Sequence, residues 1–165
     1  MTSIKYKFMN DSIRTLIIST VIPLLIAGCN SQNKPVQKNE AIARQYIEAW
    51  NNYDSVRLAS LFSENFKYED AAFNFEFSAN KDTLVSFVHG VIVAIPDSHF
   101  ETTSIIANDS MVVVEWIWKG KVPKIWFPND SITKKYFTAR GTSVMEIQNG
   151  LIKRNTDYYN GSSLH

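Results

Sequence analysis

The sequence predicts an α+β domain in which three helices, first in the chain, pack on one face of a curved antiparallel sheet. Three observations carry this. Apolar residues recur at helical spacing up to about residue 95, and from residue 99 the period changes to two. Asn149-Gly150 then joins two alternating runs as a tight hairpin turn. The chain has 165 residues, 45% hydrophobic and 13% aromatic, which is enough apolar material for one cored domain.

The segment before that domain reads differently. Residues 1–14 carry Lys5, Lys7 and Arg14 against one acid, Asp11, and Met9 is an alternative start within them. Thr15 to Gly28 is uncharged and would span about 21 Å as a helix, short of a hydrocarbon core of roughly 30 Å. A basic flank, a short apolar run and small residues before a processing point describe a secretory signal peptide. Ile26-Ala27-Gly28-Cys29 resembles the bacterial lipobox, which implies that Cys29, the single cysteine, becomes the first mature residue and carries lipid. Residues 1–28 are therefore read as a lipoprotein signal peptide, 29–37 as a flexible polar tether and 38–162 as the folded domain. Asn30, rather than Asp, follows the cysteine, which favours the outer membrane of a bacterial envelope, facing the periplasm. Loss of residues 1–28 takes the formal charge from +1 to −1, so lipid and not a basic patch would hold the chain at a membrane. The balance of 17 basic and 16 acidic residues also argues against a nucleic-acid partner.

Within the domain, Glu40 to Asn51 places Ile42, Ala43, Tyr46, Ile47 and Trp50 on one helical face. Asp54 is an N-cap for a short helix with Val56, Leu58, Leu61 and Phe62 apolar. Phe66 to Asp70 is a brief strand that leads into an aromatic loop, AAFNFEF. Asn80 or Asp82 caps a third helix that Pro96 stops, with Leu84, Phe87, Val88, Val91, Ile92 and Ile95 inward. His99–Ala107 and Ser110–Lys119 form a first hairpin, Lys134–Gln148 and Leu151–Asn160 a second.

Several local words sharpen this order: RQYIEAWNNYDSVRLASLF, YEDAA, PDSHFE, EWIWKG and RGTSVMEIQNGLIKRNTDYYN. Together they resemble the nuclear transport factor 2-like superfamily, in its SnoaL-like group of polyketide cyclases and ketosteroid isomerases. The resemblance covers residues 38–161 and implies a conical barrel in which the helices close the hollow of the sheet. It also implies a pocket. In ketosteroid-isomerase-like members a tyrosine of the first helix is an oxyanion donor and a carboxylate at the first strand's end a proton-shuttling base; Tyr46 and Asp70 stand at those places. A second oxyanion donor of that group falls near Ser143. Asp157, on the last strand, is a second candidate for the pocket carboxylate that SnoaL-like cyclases need.

Each of these residues also has a plainer reading. Asp70 can cap a turn, Tyr46 can be core in a helix stripe, and Asp157 shares with Asn155 and Tyr159 a strand face that could meet cavity or solvent. Alternation along Ser110–Lys119 puts Val112, Val114, Trp116 and Trp118 on one apolar face, suited to a flat hydrophobic ligand. Val114, Trp116, Trp118, Ser143 and Tyr159 are accordingly the expected ligand-binding set. No metal is expected, because His89 and His99 have no partner at ligand spacing. No cofactor is expected either, since GxSxG, glycine-rich phosphate loops and paired cysteines are missing from the sequence. The expected function is a lipid-anchored domain that binds a small hydrophobic molecule, and a homodimer through its open sheet. The alternative is a cofactor-free isomerase or cyclase with Asp70 as base. An open cavity with a polar floor, or one filled by Phe73, Phe75 and Trp side chains, separates productive pocket from packed core.

Overall fold

A computed structural model of the chain describes residues 34–78, 80–123, 125–126 and 135–164. The expected signal peptide and Cys29 lie outside the described residues. Helix α1 spans Lys34–Asn51 and buries Ile42, Ala43, Tyr46, Ile47 and Trp50, the stripe its sequence spacing predicts, together with Asn39 and Ala49. It starts upstream of residue 38, so residues 34–37, expected in the tether, are helical. Helix α2 spans Ser55–Ser60, and the Asp54 carboxylate accepts from the Arg57 amide at 2.8 Å as its N-cap. Helix α3 spans Lys81–Ala94. Asn80, not Asp82, caps it, accepting from the Thr83 amide at 2.9 Å. Among the described residues no helix is long and apolar enough to cross a membrane.

Six strands form one sheet: β1 Phe62–Asp70, β2 Phe75–Phe77, β3 His99–Ala107, β4 Met111–Lys121, β5 Tyr136–Gln148 and β6 Leu151–Tyr159. A single 3-10 turn, Gly161–Leu164, follows β6. The strand order is β2-β1-β6-β5-β4-β3. Two corrections to the expected sheet follow. First, it is mixed, because β1 runs parallel to β6, with Asp70 opposite Asp157. Period-two patterning shows which face a strand buries but not which distant strand it joins. Second, the aromatic loop after β1 contains β2, where Phe75 and Phe77 pair back onto Asp70 and Tyr68. Phe62 and Leu61, expected in the second helix, lead into β1, and Leu61 accepts from the Ile152 amide at 2.8 Å.

The inner face of β4 is the one its alternation predicts: Val112, Val114, Trp116 and Trp118 are buried. The β5–β6 turn has Asn149 at φ 54° and Gly150 at φ 76°, two left-handed residues in succession, as the tight Asn-Gly hairpin requires. Phe62, Leu58, Leu84, Val88, Met145 and Ile152 fill the core between helices and sheet. Asn51, expected only to end α1, also ties it to β3. Its amide donates to the Phe100 carbonyl at 2.9 Å and its side-chain oxygen accepts from the Phe100 amide at 2.8 Å. That pair brings Phe100 to 5.8 Å from Trp50, ring centre to ring centre.

Candidate ligand-binding cavity

The parallel pairing of β1 with β6 builds the site. Register places Tyr68 beside Asn155 and Asp70 beside Asp157, and β5 adds Ser143 opposite Asp157 on the other side. Period-two geometry then turns Tyr68, Asp70, Ser143, Asp157 and Tyr159 toward the helices. A cavity of about 720 Å³ lies there, lined also by Tyr46, Trp50, Phe73, Phe87, Phe100, Trp116 and Trp118. This volume lies within the range of about 300–1,000 Å³ usual for small-molecule sites.

Asp157 is the centre of the polar floor. One carboxylate oxygen accepts from the Ser143 hydroxyl at 2.6 Å and the Asn155 amide at 2.9 Å; the other accepts from the Tyr68 hydroxyl at 2.5 Å. The Trp116 indole N–H in turn donates to the Ser143 oxygen at 2.9 Å. Burial pushes the Asp157 carboxyl above its ordinary range, the three donors pull it part of the way back, and the Asp70 charge raises it again. Tyr46 lines the same cavity, and the charge of Asp157 acts on it more strongly than that of Asp70. Burial, then the Asp157 charge, holds its phenol well above the ordinary value, while hydrogen bonds with Trp50 and Tyr68 act the other way. Tyr68 is raised too, by burial first and by Asp157 second.

Asp70 satisfies both readings of its sequence position. One oxygen closes the turn after β1, accepting from the Ala72 amide at 3.0 Å and the Phe73 amide at 3.3 Å. The other faces the cavity and accepts from the Tyr159 hydroxyl at 2.9 Å. Burial raises its carboxyl, against the pull of Tyr159 and the two amides. Burial also raises the Tyr159 phenol, with the Asp70 charge as second cause.

Of the expected site residues, Tyr46, Asp70, Trp116, Trp118, Ser143, Asp157 and Tyr159 meet in this cavity. Val114 does not line it. It is fully buried in the core, paired with Ser143 on β5 and Ile105 on β3. Alternation gives its face correctly, but the hollow opens only nearer the Trp116–Trp118 end of the strand. Phe73 and Phe75 stand at the edge, 44% and 41% exposed, and leave the cavity open above its polar floor. Tyr68 went unread in the sequence, although it stands two residues before Asp70 on a strand and so shares its face. Phe87 and Val91, read as helix core, are cavity wall.

The aromatic wall is ordered. Trp118 stacks on Phe100 with ring centres 5.2 Å apart and planes 7° apart, and meets Phe137 edge-on at 4.9 Å. Its indole nitrogen is buried without a hydrogen-bond partner. Among the described residues no group of three His, Cys, Asp or Glu is placed to hold a metal.

Solved structures share this architecture. A protein of ketosteroid isomerase-like fold from Catenulispora acidiphila, in complex with trimethylamine, superposes with TM-score 0.64 at 18% identity, over 74% of this chain and 88% of that one. A protein from Shewanella denitrificans described as a SnoaL-like polyketide cyclase gives 0.66 at 12% identity, over 76% and 93%. IdmH from Streptomyces antibioticus, described as a polyketide cyclase, gives 0.64 at 13% identity, over 79% and 95%. These identities speak to fold alone. No curated protein sequence matches the chain. The model of the SnoaL-like domain matches residues 43–155, from α1 into β6, and the chain therefore belongs to the SnoaL-like domain family.

Proposed function

We propose that this protein binds a small, largely hydrophobic molecule in the cavity between α1, α3 and the sheet, displayed at the bacterial outer membrane from lipid on Cys29. One observation carries the binding reading: a cavity of about 720 Å³ walled by aromatic rings over a floor of hydrogen-bonded carboxyls. Rings supply apolar contact, and a few placed polar groups fix orientation. The trimethylamine held by the Catenulispora acidiphila relative is consistent with an accessible pocket in this fold. Trp116→Ala removes one wall and the donor to Ser143. It should weaken binding of an aromatic ligand at least tenfold, read by calorimetry, while Asp70→Asn leaves apolar contact in place. Unchanged binding in Trp116→Ala would overturn the assignment of this cavity.

A cofactor-free isomerase or cyclase is the second reading, and the position of Asp70 favours it. Its carboxyl faces the cavity with a raised pKa, as a base working near neutrality needs. Tyr46 serves this reading less well, since the charge of Asp157 acts on its phenol more strongly than that of Asp70. Tyr159, which already touches Asp70, is the better-placed phenol.

The membrane placement rests on Ile26-Ala27-Gly28-Cys29. Cys29→Ser should leave the chain without lipid and in the soluble fraction after cell breakage. A variant that stays membrane-bound with residues 1–28 attached would show an ordinary anchor instead.

A further inference from the structure

The charge of the cavity is one-sided. Asp70 and Asp157 lie on adjacent parallel strands at paired positions, both facing the hollow, and among the described residues no Lys, Arg or His lines it. The rest of the lining is mainly aromatic, with Trp50, Phe100, Trp116 and Tyr159 beside the carboxyls. We infer that the cavity selects an organic cation, a small ammonium group carrying methyl or similar apolar substituents, over a neutral molecule of the same shape. This rests on the binding reading above and gives its ligand a chemical class.

Electrostatics favours a positive guest. In this apolar hollow the Asp70 charge raises the proton affinity of Asp157, and burial raises that of both carboxyls; a positive guest would relieve both effects. Ring faces attract cations through their quadrupoles, most strongly where water is excluded. A substituted ammonium suits such a wall, because it is weakly hydrated and gives up little on entering; a bare metal ion would require oxygen ligands. The Asp157 oxygens are taken by Tyr68, Ser143 and Asn155, so Asp157 contributes field rather than contact. Asp70 is the reachable partner, with one oxygen holding only the Tyr159 hydroxyl. That bond also enriches the Tyr159 ring in electron density, which strengthens its face toward a cation.

The test compares choline with 3,3-dimethylbutan-1-ol, which has the same shape with carbon in place of the charged nitrogen. Binding of each to the full chain is read by calorimetry and tryptophan fluorescence. The expected result is at least tenfold tighter binding of choline, reduced to less than threefold in Asp70→Asn. The ratio is read first on the unaltered chain, so the outcome does not depend on how the variant folds. Equal binding, or preference for the neutral alcohol, would overturn the charge selection and leave the cavity reading standing. No binding of either probe would overturn the cation proposal, while the cavity reading is decided separately by the Trp116→Ala comparison.

Discussion

Asp157 shows how one residue can be both a structural and an electrostatic element. Three donors converge on it from β1, β5 and its own strand, yet burial still raises its carboxyl. Asp70 is raised for the same first reason. A carboxyl raised in the folded state binds protons there at pH values where the unfolded chain, near the ordinary 3.8, has already released them. The stability that this gives is fully present below the ordinary value and is lost as pH rises through the folded values. Unfolding free energy should therefore fall more steeply as pH rises above about 4 in the natural chain than in Asp70→Asn/Asp157→Asn. Denaturant titration at four or five pH values reads the difference, and parallel curves would count against two desolvated carboxyls. Asp70 and Ser143 were legible through the family resemblance, and Asp157 through that resemblance and the strand face it shares with Asn155 and Tyr159. Their connections were not legible. That Tyr68 donates to Asp157, and Tyr159 to Asp70, depends on the β1–β6 register, which no local pattern encodes.

Among the elements, β5 is shaped to receive β4. Gly141 lies opposite Trp116, and a Cβ built there would come within 2.2 Å of the indole ring. The indole has no easy escape, because its N–H holds the Ser143 oxygen at 2.9 Å. Gly141→Ala should therefore cost about 1–3 kcal/mol of stability by overpacking and shift the tryptophan emission, as Trp116 leaves Ser143. Denaturation with fluorescence checks both, and an unperturbed spectrum would mean the wall has slack. Helix α1 and strand β4 were readable because each buries a face at its own period. Strand β2 was not, since three residues, Phe75–Phe77, are too few for a period to show. The start of β1 was hidden similarly: Leu61 and Phe62 extend the apolar spacing of α2, and only pairing with Ile152 makes them strand.

At the scale of the molecule, the helices cover one face of the sheet and leave the other to its surroundings. Register aligns Ile106 on β3 with Val113 on β4 and Val144 on β5, an apolar row across three strands. Ile106 is 66% exposed, so the row lies open at its end. Around it stand both signs of charge, including Glu115, Arg140 and the Glu101–Lys119 pair at 2.9 Å. A face with an apolar centre and mixed charges can complement a copy of itself about a two-fold axis, where acid on one subunit meets base on the other. Residues 29–165 carry a formal charge of −1, which adds little long-range repulsion. The chain should accordingly be a homodimer through this face. Ile106→Lys with Val144→Lys would place like charges opposite one another across the axis and give monomer, while the cavity and its ligand affinity stay unchanged on the opposite face. Light scattering at matched concentrations reads the mass. A natural chain that is monomeric at high concentration, or a double variant that remains dimeric, would remove the outer sheet as the interface.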